Sequence, residues 1–161
     1  TGVQTCALPI WNIMFTHILI PTDGSELSAV ATESALSLAK THKAKVTIMM
    51  ASPTFRQMAD EGFILPGLQM GKRDWEEAAT NRARKVLDDV AGQAASAGVK
   101  CDTVHVFKDM PHTAIIDTAK KQGCDLIVMG SHGYGGFKQW VLGSETTRVL
   151  SQSKIPVLVY R

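Results

Sequence analysis

Residues Asp125-Leu126-Ile127-Val128-Met129 run straight into Gly130-Ser131-His132-Gly133, and Gly143-Ser144 follows nine residues later. Four consecutive apolar side chains leave no polar face, so Asp125–Met129 reads as a strand buried on both sides. Strands of that kind belong to parallel sheets covered by helices. The chain around it supplies the helices. Upstream, Pro111–Gln122 reads as a helix, with Pro111 at the first-turn position that tolerates it and Gly123 at the C-terminal end. Downstream, Ser144–Ser153 reads as a short helix and Ile155–Tyr160 as a closing strand.

The same alternation extends to the start of the domain. His17–Pro21 (HILIP) and Lys45–Ala51 (KVTIMMA) read as buried strands, and Cys101–Phe107 as an alternating one. Between the first two, Ser25–His42 is helical, with Leu27, Val30, Ala31, Ser34, Ala35 and Leu38 recurring on one face and Asp23 or Ser25 available as a cap. Asp74–Ala97 is a long helix with apolar Ala78, Val86, Leu87, Val90 and Ala94, stopped by Gly98. Residues 52–70 contain Pro53 and Pro66 and show no clear period; loops of that length are often lids or interface elements. The predicted fold is therefore a single α/β domain, a five-stranded parallel sheet of order 3-2-1-4-5 with helices on both faces.

Composition excludes other classes. The 161 residues are 45% hydrophobic and 20% charged, which is ordinary for a globular chain. Seventeen Lys and Arg against 15 Asp and Glu give a net charge of +2, no footprint for nucleic acid or an anionic membrane. Cys6, Cys101 and Cys124 form neither a disulfide framework nor a CxxC pair, and Cys101 and Cys124 read as core thiols. The histidines make no metal spacing. No GxSxG elbow, GxxxxGK[ST] loop or complete GxGxxG occurs. No catalytic residue and no metal ligand is assigned.

Residues 1–13 (TGVQTCALPIWNI) stand apart: they carry no charge and no period, and they lack the basic start and cleavage site of a secretory signal. The segment resembles translated sequencing-adapter DNA. The expectation is a non-native or disordered segment before a domain spanning 14–161; a genuine extension packed on the domain is the alternative.

Two loops at strand C-termini carry the chemistry: Pro21-Thr22-Asp23-Gly24-Ser25 and the glycine loop from Gly130 to Gly143. With the order 3-2-1-4-5, the first and fourth strands flank the point where ligands bind open α/β sheets. Glycines let backbone N–H groups approach an anion and permit positive φ. The helix opening at Gly143-Ser144 offers unpaired N–H groups and a partial positive charge, with the Ser144 and Thr146 hydroxyls beside them. Asp23 would repel a phosphate and suits a ribose hydroxyl. The competing reading is that the glycines only make turns, that Asp23 and Ser144 only cap helices, and that His132 only shapes its loop.

Gly130-x2-Gly133-x9-Gly143-Ser144 resembles the ATP-binding signature of the universal stress protein family. DLIVMGSHG before it, IPVLVYR after it and Pro-Thr-Asp after the first strand match as well, so the resemblance spans Phe15 to Arg161. It implies a cytoplasmic, homodimeric, flavodoxin-like domain that binds ATP. By the family's pattern, Pro21, Thr22 and Asp23 line the nucleoside side, with Asp23 on ribose. Ala51 lies near adenine, Met129 and Gly130 border the nucleoside, and Gly133, Gly143, Ser144, Glu145 and Thr146 surround the phosphates. Mg²⁺ would share the phosphate charge, with Lys138 and Arg148 the nearest cations by sequence.

Two departures stand out. Asp109 occupies a turn where relatives often have glycine, and Glu145 a place where they often have an apolar residue. A first-turn acid usually points outward. The functional expectation is a nucleotide-sensing stress-response module with at most slow hydrolysis. The alternatives are a structural dimer or interaction protein that binds no nucleotide, and an adenine-nucleotide hydrolase or transferase. The strand 155–160, apolar and at a sheet edge, predicts pairing with a second copy.

Overall fold

Alternation of apolar side chains along five short strands sets the architecture. In the computed structural model, which describes residues 14–62, 71–131 and 142–161, the strands are β1 (His17–Pro21), β2 (Lys45–Ser52), β3 (Cys101–Phe107), β4 (Leu126–Gly130) and β5 (Val157–Tyr160). They form one sheet of order β3-β2-β1-β4-β5, parallel throughout, as predicted. Ile18 pairs with Val46 on one side and Leu126 on the other, so β1 lies at the centre.

The helices are α1 (Glu26–His42), α2 (Phe55–Asp60), α3 (Lys72–Ala97), α4 (Pro111–Gln122) and α5 (Ser144–Gln152). Ile18, Ile20, Val46, Ile48, Met50, Leu126 and Val128 point to the face covered by α1 and α3. Leu19, Met49, Ile127 and Met129 point to the opposite face, under α4 and α5. β1, β2 and β4 thus supply two cores each, which explains why these central strands are apolar on both faces. Asp125 clasps the lower end of the sheet: its carboxylate accepts from the backbone N–H of Thr16 at 2.8 Å and of His17 at 3.0 Å.

Several findings differ from the sequence reading. On α1 the sheet-facing residues are Ser28, Ala31, Thr32, Ala35, Leu36 and Ala39, whereas Leu27 and Val30 are 44% and 47% exposed. Small residues let the helix sit close on the sheet, and Thr32 satisfies its buried hydroxyl on the Ser28 carbonyl at 2.7 Å. Ala78 of α3 is likewise exposed, and Ala83 takes its place in the core. Within 52–70, residues Phe55–Asp60 are helical; Thr54 accepts from Gln57 N, and its own N–H donates to Asp109 Oδ1 at 2.9 Å. Asp109 therefore anchors α2 and has no left-handed conformation; among the described residues only Lys43 does so without being glycine. Element ends shift by one or two residues: α3 starts at Lys72, β2 reaches Ser52, β4 runs from Leu126 to Gly130, α5 stops at Gln152 and β5 begins at Val157. The expectations for residues 1–13 and 63–70 fall outside the described residues.

Candidate nucleotide site

The site is built on the C-terminal ends of β1 and β4, neighbours at the point where the strand order reverses. After β1 the chain turns sharply within four residues. Thr22 N donates to Met49 O at 2.9 Å, which ties the turn to β2. The Thr22 hydroxyl lies 3.0 Å from Ser28 Oγ and accepts from Gly24 N. Asp23 Oδ1 accepts from Ser25 N at 3.0 Å, and Ser25 Oγ accepts from Ser28 N as the N-cap of α1. Of the two predicted caps, Ser25 is the cap and Asp23 braces the turn. Gly24 has a φ of +78°, which favours glycine, and a Cβ there would also crowd the Val86 side chain of α3 at 3.1 Å.

After β4 the backbone closes on itself. Ser131 N donates to Tyr160 O, and Gly143 N donates to Ser131 O, both at 2.8 Å. Residues 131 and 143 are thus joined across the glycine loop. Gly133 and His132 lie outside the described residues, as does Lys138. Gly143 has φ −57° and ψ 149°, so its conformation does not demand glycine. The positive φ expected of this loop is absent from the part described, since neither Gly130 nor Gly143 has one.

The first turn of α5 presents three side chains in three directions. Ser144 is exposed. The Thr146 hydroxyl, buried, donates to the carbonyls of Gly130 at 3.1 Å and Ser131 at 3.3 Å, so it fastens α5 to β4 and its proton is not free for an anion. Glu145 turns toward α4. Its Oε2 accepts from the His112 backbone N–H and lies 2.8 Å from His112 Nδ1, while Oε1 accepts from Arg148 at 2.6 Å. Burial pushes the Glu145 carboxyl up, but these hydrogen bonds outweigh it and hold the group below the usual glutamate range. An ionised carboxylate only accepts, so His112 Nδ1 carries the proton.

Glu145 therefore points to the neighbouring helix rather than to solvent. Arg148 is committed to the same carboxylate. His112 was not singled out from the sequence. Its one legible trace is that α4 begins at Met110-Pro111 with no capping side chain, which leaves N–H groups for a distant acceptor.

The remaining predicted residues frame the cleft. Pro21 and Ala51 are half-buried at the ends of β1 and β2, and Met129 and Gly130 are buried at the end of β4. α5 opens without a side-chain cap, and Gly143 N is already used, so among the described residues the N–H groups of Ser144, Glu145 and Thr146 have no acceptor at the helix start. That arrangement suits an anion.

Elsewhere, Ser52 Oγ lies 2.9 Å from His105 Nε2 beneath α3. Ser52 is 6% exposed, which closes it to a substrate, and among the described residues no carboxylate completes a triad. Cys124 is buried, and its thiol is pushed up to about 11 by desolvation and Asp125. No helix among the described residues is long and apolar enough to cross a membrane.

Comparison with known proteins adds to this geometry. The profile of the universal stress protein family matches residues 14–161. Universal stress protein YxiE of Bacillus subtilis is 32% identical over 152 residues, covering 92% of this chain and all of its own. The solved structure of MJ0577 from Methanocaldococcus jannaschii superposes with a TM-score of 0.73 at 29% identity, over 91% of this chain and 95% of that one. Two more distant structures share the fold, each with a TM-score of 0.63. One is a universal stress protein in complex with cAMP (23% identical, covering 91% of this chain and 97% of that one). The other is the Archaeoglobus fulgidus protein in complex with dAMP (17% identical, covering 91% and 98%).

Proposed function

The chain belongs to the universal stress protein family, and from that premise we propose that it binds ATP between the β1 and β4 loops as a nucleotide-sensing stress-response module of the cytoplasm. The observation that carries the reading is the uncapped first turn of α5, whose N–H groups stand beside the reversal point of the sheet. In this reading the phosphates lie against Gly143, Ser144, Glu145 and Thr146 and against Gly133. Asp23 holds the ribose beside Pro21 and Thr22, Ala51 lies near adenine, and Met129 and Gly130 border the nucleoside. The complexes of relatives with cAMP and dAMP support an adenine nucleotide as the ligand class. Arg148 is paired with Glu145, so a Mg²⁺ ion bound with the nucleotide would share the phosphate charge with the backbone dipoles. No general base is assigned, and hydrolysis is at most slow. Turnover above about 1 s⁻¹, the low end for enzymes, would instead favour a hydrolase or transferase.

Mass spectrometry of the protein as purified, together with thermal unfolding in millimolar ATP, tests the proposal. Bound nucleotide or an ATP-dependent rise in Tm is expected. Gly143→Val is expected to abolish the rise, because its side chain would enter the space for phosphate. Absence of both signals in the wild type would overturn the reading in favour of an interaction protein that binds no nucleotide.

A further inference from the structure

The N-termini of α4 and α5 meet at Glu145, and they are treated differently. The start of α4 is closed by an acid from another element: Glu145 accepts from the His112 N–H at 2.8 Å and contacts the ring Nδ1 at 2.8 Å. The start of α5, which carries that acid, has no side-chain cap among the described residues. α4 is a firm reference, with Ala114, Ile115 and Ala119 embedded in the core beneath it and the His112 side chain buried. The first turn of α5 has two further ties, Thr146 to the carbonyls ending β4 and Gly143 N to Ser131 O. Both of those run down to the sheet. Among the described residues, Glu145 makes the lateral tie to α4.

The geometry points to Glu145 as a positioning residue: its reach to His112 fixes the first turn of α5 so that the Ser144–Thr146 N–H groups converge on a nucleotide phosphate. The inference rests on the nucleotide reading above. A carboxylate beside a phosphate site would ordinarily repel the ligand. Here its charge lies at the positive ends of two helices and against Arg148, so the opposition is offset while the reach is kept. Preorganised donors bind more tightly than donors that must be ordered by the ligand.

Reach and charge are separable by substitution. Glu145→Gln keeps the length, and its amide oxygen still accepts from His112, but the charge is gone. Glu145→Asp keeps the charge and is one methylene too short. ATP affinity is measured by calorimetry for the wild type and both variants, with thermal unfolding confirming that each is folded. Amide hydrogen exchange at Ser144–Thr146 is read without nucleotide. Glu145→Gln is expected to bind ATP more tightly than Glu145→Asp. Glu145→Asp is expected to bind roughly tenfold more weakly, as for one lost charge-assisted contact, with faster exchange at those three amides. A wild type that binds ATP, with Gln and Asp variants of equal affinity, overturns the inference and leaves the nucleotide reading standing. So does a Gln variant weaker than the Asp one. A wild type that binds no ATP overturns both. If Glu145→Asp fails to fold, Glu145→Gln against Glu145→Ala decides the matter, Ala being expected to behave as Asp.

Discussion

His17 and His105 sit inside the sheet with their Nε2 atoms on hydroxyls, Thr47 at 2.8 Å and Ser52 at 2.9 Å. Burial lowers both below the ordinary histidine value of 6.5, helped at His17 by Lys45. The unfolded chain therefore takes up protons below about pH 6.5 that the folded chain refuses, so stability is lost as pH falls through that window. The urea midpoint should hold steady down to neutral pH and decline toward about pH 5.5, before the carboxylates titrate. His105→Asn should flatten part of that decline; a midpoint unchanged over the window would contradict the account. At this scale the sequence is legible where a residue acts on its own neighbourhood. Ser25 reads as a cap because its acceptor and donor lie three residues apart. Glu145 and His112 are 33 positions apart and meet only because the sheet, through β4, brings the starts of α4 and α5 together, a pairing that no local pattern encodes.

Elements are legible where hydrophobicity and period agree. All five strands and the α4 boundaries could be read, because the central strands are almost continuously apolar, β3 alternates, β5 is a short apolar run, and Pro111 and Gly123 mark the helix ends. α1 misleads for a physical reason: two of its large apolar side chains, Leu27 and Val30, flank the contact stripe, while three alanines, a serine, a threonine and Leu36 make it. Weighing positions by hydrophobicity rotates the helix by about one residue; weighing them by closeness of approach does not. The rotation is measurable. Leu36→Ala, at a position 4% exposed, should destabilise the fold by about 2–5 kcal/mol. Leu27→Ala should change it by less than about 0.5 kcal/mol. Equal losses by urea denaturation would place the helix as the apolar stripe suggests. α2 escapes notice because six residues are too few to show a period, and its start is held by Thr54 and the distant Asp109.

The whole molecule has an asymmetry that the strand order makes visible: β3 and β5 are its two sheet edges, and β5 is the more apolar. Pro156 O, just before β5, accepts from Ile127 of β4, and Tyr160 O accepts from Ser131 just after β4, so even-numbered residues here turn their backbone groups inward. Val157 and Val159 therefore turn theirs toward the open edge. Leu158 and Tyr160 flank that edge at 44% and 40% exposure. A four-residue row of this kind invites a second strand. Pairing with its counterpart across a two-fold axis, as proposed from the sequence, would cover Leu158 and Tyr160 in both copies. Because the Val159 N–H points away from β4, Val159→Pro removes a donor that the monomer does not use, and edge strands tolerate proline at such positions. Light scattering should find the wild type dimeric at micromolar concentration and Val159→Pro monomeric, with unchanged circular dichroism. Glycine loop and edge strand are also linked, since Ser131 receives Gly143 and donates to Tyr160. A monomeric Val159→Pro that keeps its ATP-dependent rise in Tm would show that each copy holds its own nucleotide site. A wild type that is itself monomeric would remove the dimer from the account and leave the edge open for a different partner.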